Sequence, residues 1–109
     1  MSRFVCDTCG EEISLHEGVL TWTRRYNQLS NFKLTHMNTP ERQCRPENNR
    51  CKELYALAMV HEYIGFTQYL LERWENGFVL TDPESLERVM EQLNLHMHEK
   101  VIMLSESED

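Results

Sequence analysis

No stretch of this 109-residue chain is apolar for long enough to cross a bilayer. The longest apolar runs, such as Tyr55–Val60, fall far short of the roughly 20 residues a membrane helix needs. The amino terminus, MSRFVCDTCG, has no extended apolar segment followed by a small-residue cleavage site, so no secretion signal is read there and a cytoplasmic location is expected. Internal repeats and low-complexity segments are also missing, and one compact unit is expected of a chain this size. Basic residues are scarce in the second half: residues 53–109 carry 3 Lys/Arg against 12 Asp/Glu, while residues 1–52 carry 8 against 6, for a net charge of −7. The carboxyl-terminal half should therefore repel nucleic acid, and only the first half, with Arg24, Arg25, Lys33, Arg42, Arg45 and Arg50, offers a modestly basic face.

Catalytic constellations are equally scarce. His61-Glu62 starts like a zinc-protease His-Glu-x-x-His motif, but Gly65 stands where the second histidine is required. There is no glycine-rich phosphate loop and no nucleophile placed beside a base, so the chain is not expected to be an enzyme.

What the sequence does contain is four cysteines. In a reducing compartment these are expected to be metal ligands, redox thiols or buried thiols rather than structural disulfides. Cys6 and Cys9 form a Cys-x-x-Cys turn followed by Gly10, whose lack of a Cβ permits the positive φ that lets backbone N–H groups point at the sulfurs. That pattern suits a zinc knuckle. A thioredoxin-type pair would instead open a helix, whereas here a strand-like segment follows. Zinc wants four tetrahedral thiolate or imidazole ligands. His36, Cys44 and Cys51 compete for the remaining two places. His36 closes a predicted strand, and Cys51 stands at an expected helix start where free N–H groups would favour a thiolate. Cys44 sits in a loop between Arg42 and Arg45. The preferred set is Cys6, Cys9, His36 and Cys51 around one structural zinc ion, with Cys44 as the competing ligand.

Gly18–Thr23 and Phe32–His36 are rich in β-branched and aromatic residues and read as an antiparallel hairpin, with a turn in the intervening polar stretch. Met37–Arg50 has no period and reads as a loop. Beyond Cys51 the apolar spacing becomes helical. Three short helices are expected between about Lys52 and Lys100, with a break at Gly65, a stop near Asn76-Gly77, and a well-capped start at Thr81-Asp82-Pro83-Glu84. The expected fold is α+β: a zinc-ribbon-like hairpin and ligand loop over residues 1–51, a helical part of the same domain over 52–104, and a disordered acidic tail over 105–109. Met90, Met97 and Met103 on the last helix suit either an adaptable contact face or ordinary core.

The order CDTCG, VLTW, FKLTH, a cysteine, EYIGFTQYLLERWENG and TDPESLERVMEQLNL resembles a group of small bacterial zinc-ribbon-like proteins across most of the chain, about Phe4 to Leu95. The chain departs from that group in having Thr35 where valine is usual, an extra loop cysteine, and NLHMHEK near its end. The resemblance implies a zinc site and a ribbon-like fold and carries no activity with it. The reading that follows is a small zinc-binding adaptor or regulatory module that recognises another protein. One alternative is a nucleic-acid-binding regulator using Trp22, Tyr26, Arg24 and Arg25 on the hairpin. Another is a thiol-redox protein using Cys6 and Cys9.

Overall fold

Alternating apolar residues and a strong turn bring the two central strands together. The computed structural model describes residues 4–47 and 50–107, and it is α+β. Two short strands, β1 (Phe4–Val5) and β2 (Glu12–Ile13), pair antiparallel around the first cysteine turn. β3 (Gly18–Arg25) and β4 (Gln28–His36) form the expected hairpin, longer at its inner ends than the sequence suggests. Its connection is only Tyr26-Asn27, and Tyr26 takes the left-handed φ of +55° that tight hairpin turns use.

The hairpin register shifts once. Thr21 pairs with Lys33 but Thr23 pairs with Ser30, so Trp22 faces two residues, Asn31 and Phe32. Asn31 absorbs the bulge with φ +58°, a conformation asparagine tolerates better than most residues. The N–H of Phe32, taken out of the ladder, donates instead to Ser85 Oγ at 3.0 Å, and that hydroxyl donates to the Asp82 carbonyl. A polar residue in the first turn of a helix thus completes the hydrogen bonding of the sheet.

β5 (Arg50–Glu53) pairs with β3, and β6 (Val79–Leu80) runs parallel to β4, giving the order β5-β3-β4-β6. The helices are α1 (Leu54–Leu57), α2 (Val60–Glu75) and α3 (Pro83–Ser107). Leu20, Trp22, Phe32 and Leu34 of the hairpin share one core with Leu54, Leu57, Phe66, Val89 and Leu93 from the helices. Burial of each such side chain contributes about 1.5–3 kcal/mol. The molecule is thin, 49 × 40 × 19 Å, as two layers require. Trp22 stacks on Phe32 and meets Phe66 and Tyr69 at tilts of 57° and 52°, which fixes α2 over the bulge.

Three expectations are corrected. α2 runs unbroken through Gly65, and the break comes earlier, at Met59, after the single turn of α1. Buried Phe66 and half-buried Tyr69 hold that segment on the sheet, which outweighs the roughly 1 kcal/mol a mid-helix glycine costs. The last helix is 25 residues long rather than short, and it continues through the first part of the acidic tail as far as Ser107; Glu108 and Asp109 lie outside the described residues. Cys51 lies in β5 rather than at a helix start. The stop near Asn76-Gly77 is as expected: Gly77 has φ +84°, with Gly77 N–H on the Trp74 carbonyl and Phe78 N–H on the Arg73 carbonyl, the paired bonds of a Schellman ending.

Two glycines give opposite predictions. A Cβ on Gly65 would meet nothing within 4 Å, so Gly65→Ala should raise unfolding free energy by about 0.5–1 kcal/mol. A Cβ on Gly18 would lie 2.5 Å from Leu54 Cδ2, 2.7 Å from Ile13 Cγ2 and 3.0 Å from Leu54 Cβ, the last of which no rotamer change relieves. Gly18→Ala should lower stability by about 1–3 kcal/mol, and urea unfolding of the two variants beside wild type checks both signs.

Candidate metal centre

The turn from Cys6 to Gly10 is built to present sulfur. Gly10 takes φ +78° and donates its N–H to the Cys6 carbonyl at 2.9 Å, and the N–H groups of Thr8 and Cys9 point at Cys6 Sγ at 3.4 and 3.5 Å. Asp7 fastens the turn to the hairpin: its N–H donates to the Leu34 carbonyl (2.8 Å), and its carboxylate accepts from the Leu34 N–H (2.9 Å). This pair of bonds sets the cysteine turn beside the end of β4, where His36 stands opposite Gly18.

The third element is the loop after β4. Thr39 and Arg42 exchange backbone hydrogen bonds, the Asn38 side chain bonds both the N–H and the carbonyl of Arg45, and Thr8 Oγ1 donates to the Cys44 carbonyl at 2.7 Å. These ties deliver a buried Cys44 to the cysteine turn. One ligand atom from each of Cys6, Cys9, His36 and Cys44 lies within 4.8 Å of all the others. Zn–S bonds of about 2.3 Å in a tetrahedron separate the ligand atoms by about 3.8 Å, so the four donors fit around one ion with small inward shifts.

The structure groups Cys44, the competing ligand of the sequence reading, rather than Cys51 with the other three donors. Cys51 is exposed on β5, paired with Thr21, and is not part of the cluster; Cys6, Cys9 and His36 are brought together as expected. Nothing in the loop has helical or strand period, so its rigidity was hidden in side-chain bonds. Asn38, Thr39 and Pro40 are nonetheless residues that favour turns.

Imidazole orientation follows from its second nitrogen. His36 Nε2–H donates to the Glu12 carbonyl at 3.0 Å, which leaves the Nδ1 lone pair directed at the cluster, 3.6 Å from Cys9 Sγ. Arg42 Nη1 lies 3.0 and 2.7 Å from the two ring nitrogens. Nε2 is itself a donor and cannot accept from Nη1, whereas the Nδ1 lone pair at 3.0 Å can accept until a metal takes it, and Nη2 donates to Glu11 at 2.7 Å. Its Nη1 is also 3.9 Å from Cys9 Sγ. Three thiolates around a divalent ion leave one negative charge, and Arg42 is placed to balance it.

The thiols do not ionise alike. Burial opposes ionisation of Cys6, but N–H donors from Cys9 and its other neighbours outweigh it and bring the thiol down to about 6. Burial, reinforced by the adjacent Cys9 and Cys6 sulfurs, pushes Cys44 up to about 11.

Compared with protein-family models, with curated proteins and with solved structures, the chain finds no match. The donor set therefore speaks for itself: three sulfurs and one imidazole nitrogen can hold a metal ion. The aromatic-basic surface considered for nucleic acid is reduced, because Trp22 is buried in the core and Arg24 lies over the Phe78 ring at 4.7 Å.

Metal binding should be proton-linked. At neutral pH Cys44 must lose a proton to become a ligand, whereas Cys6 is already mostly thiolate. The apparent affinity for zinc, measured by competition with a chelator of known affinity, should rise at least about tenfold per pH unit near pH 7. The dependence should steepen by about one further proton below about pH 6, where Cys6 takes one up.

Proposed function

We propose that this chain is a structural zinc-binding domain of the zinc-ribbon-like kind its motifs resemble, acting in the cytoplasm as an adaptor or regulatory module for another protein. The observation that carries the proposal is the convergence of Cys6, Cys9, His36 and Cys44 from three separate pieces of chain. Zinc is the ion this donor set favours, since Cys3His is a common closed tetrahedral site. Four protein ligands would leave no position for an activated water, which supports a structural rather than a catalytic role.

The convergence also weighs against a dedicated redox pair. Cys6 is buried, and its thiolate sits among three further donors rather than at an open helix end. No described helix is long and apolar enough to cross a membrane. An adaptor role is supported by the apolar surface left exposed on α2, including Ile64, Leu71 and Trp74.

Elemental analysis of purified protein tests the metal reading. One zinc per chain is expected in wild type and in Cys51→Ser. Cys6→Ser, Cys9→Ser, Cys44→Ser and His36→Ala should lose the ion or hold it at least about tenfold more weakly. Retention in Cys44→Ser with loss in Cys51→Ser would contradict the site. A metal-free wild type in which Cys6 and Cys9 cycle to a disulfide would replace the zinc reading with the redox one.

A further inference from the structure

Away from the cysteines, α2, β6 and the first turns of α3 enclose an open groove of about 600 Å³. Its walls include Leu71 and Trp74 of α2, Val79 and Leu80 of β6, and Leu86 and Met90 of α3. Among the residues that line it, Thr67 alone has a hydroxyl, so there is no convergent set of polar groups to orient a small molecule. Trp74 is 73% exposed and Leu71 56%, a large apolar surface for a chain this small to leave in water. The stretch of α2 from Thr67 to Trp74 is about 10 Å long, the rise of roughly two helical turns.

Charge selects the occupant. Between residues 67 and 91 there are six acidic residues and two basic ones. Arg24 and Arg73 lie over the ring of Phe78 at 4.7 and 5.5 Å, so two cations stand at that end of the groove, while Arg88 faces Asp7 at 3.7 Å and the rim along α2 and α3 stays predominantly acidic. Glu72, Glu75, Glu84, Glu87 and Glu91 are exposed, and among the described residues none has an ion-pair partner. Glu75 lies one turn after Leu71 on α2, and Glu87 one turn before Met90 on α3, so a carboxylate borders the apolar strip on each helix. A second copy of the chain would bring another charge of −7 against this acidic rim.

We propose that this groove binds a basic amphipathic helix of a partner protein, the helix's apolar ridge lying against Leu71, Trp74, Leu86 and Met90 and its Lys/Arg flanks facing Glu75 and Glu87. The proposal deepens the adaptor reading and rests on it, but it involves none of the metal-centre residues. Helix-in-groove recognition uses apolar anchors at i, i+3, i+4 and i+7, and opposite charge around the rim steers association and fixes orientation.

The test uses the full chain and a fluorescein-labelled peptide of about 18 residues, built from leucine and lysine in helical period, followed by fluorescence anisotropy. A scrambled peptide of the same composition and a leucine/glutamate peptide of the same pattern serve as comparisons. Saturable binding of the amphipathic lysine peptide is expected, at least about tenfold weaker with Leu71→Asp or Trp74→Ala. Both positions are exposed, so the fold is retained. Glu75→Lys with Glu87→Lys should weaken binding several-fold at low salt and less at high salt. Equal binding of the scrambled or the leucine/glutamate peptide overturns the proposal, as does binding indifferent to Leu71→Asp. A wild-type dimer in sedimentation that Leu71→Asp abolishes also overturns it in favour of a second copy. Zinc content is measured on the same samples: peptide binding by a zinc-free wild type removes the metal reading alone, and a zinc-loaded protein that ignores the peptide removes the groove alone.

Discussion

Three cysteine sulfurs and an imidazole crowded within 4.8 Å set a constraint that the rest of the molecule serves. Sulfurs this close cannot all carry a negative charge without a cation among them. The protein divides the problem by aiming backbone N–H groups at Cys6, held at about 6, and leaving Cys44 buried and protonated, pushed up to about 11. A divalent ion reverses the local sign, because a coordinated thiol gives up its proton. A structural zinc ion contributes on the order of 10–16 kcal/mol in zinc-finger peptides, comparable with the whole stability of a small domain.

An ion at the cluster would tie together short pieces of chain that side-chain bonds and a small share of the core otherwise hold. β1 and β2 are two residues each, and among the described residues of the loop bearing Cys44 the strand-like pairing is one isolated bridge, Thr39 with Arg42. Phe4, Cys6, Ile13 and Cys44 do join the main core, and Val5 N–H reaches Gln92 on α3 at 2.9 Å. The same hairpin that orients His36 continues into the bulge at Asn31, where Trp22 and Ser85 anchor α2 and the start of α3. One sheet therefore positions both the donor cluster and the two helices that border the apolar groove.

Much of this was legible from residue order. VLTWT and FKLTH alternate as strands do, Gly10 marks the knuckle, and Asn76-Gly77 marks a helix stop. The α+β layout follows from those local signals. The ligand set was legible only by halves, since the choice between Cys44 and Cys51 turns on Asn38 and Thr8 bonds made across the loop, which no periodicity records. Gly65 misled because local propensity was overruled by Phe66 and Tyr69 packing on the sheet. The groove was hidden for a related reason: Leu71, Trp74, Leu80 and Leu86 sit in three separate segments and become one surface only when β6 docks beside β4.

Zinc-edge X-ray absorption of the purified chain reaches the central claim most directly, because it counts the donors instead of inferring them. The account predicts one four-coordinate zinc per chain with three sulfur scatterers at about 2.3 Å and one imidazole nitrogen at about 2.0–2.1 Å, unchanged in Cys51→Ser. Four sulfur scatterers, or a first shell that changes in Cys51→Ser, would contradict it.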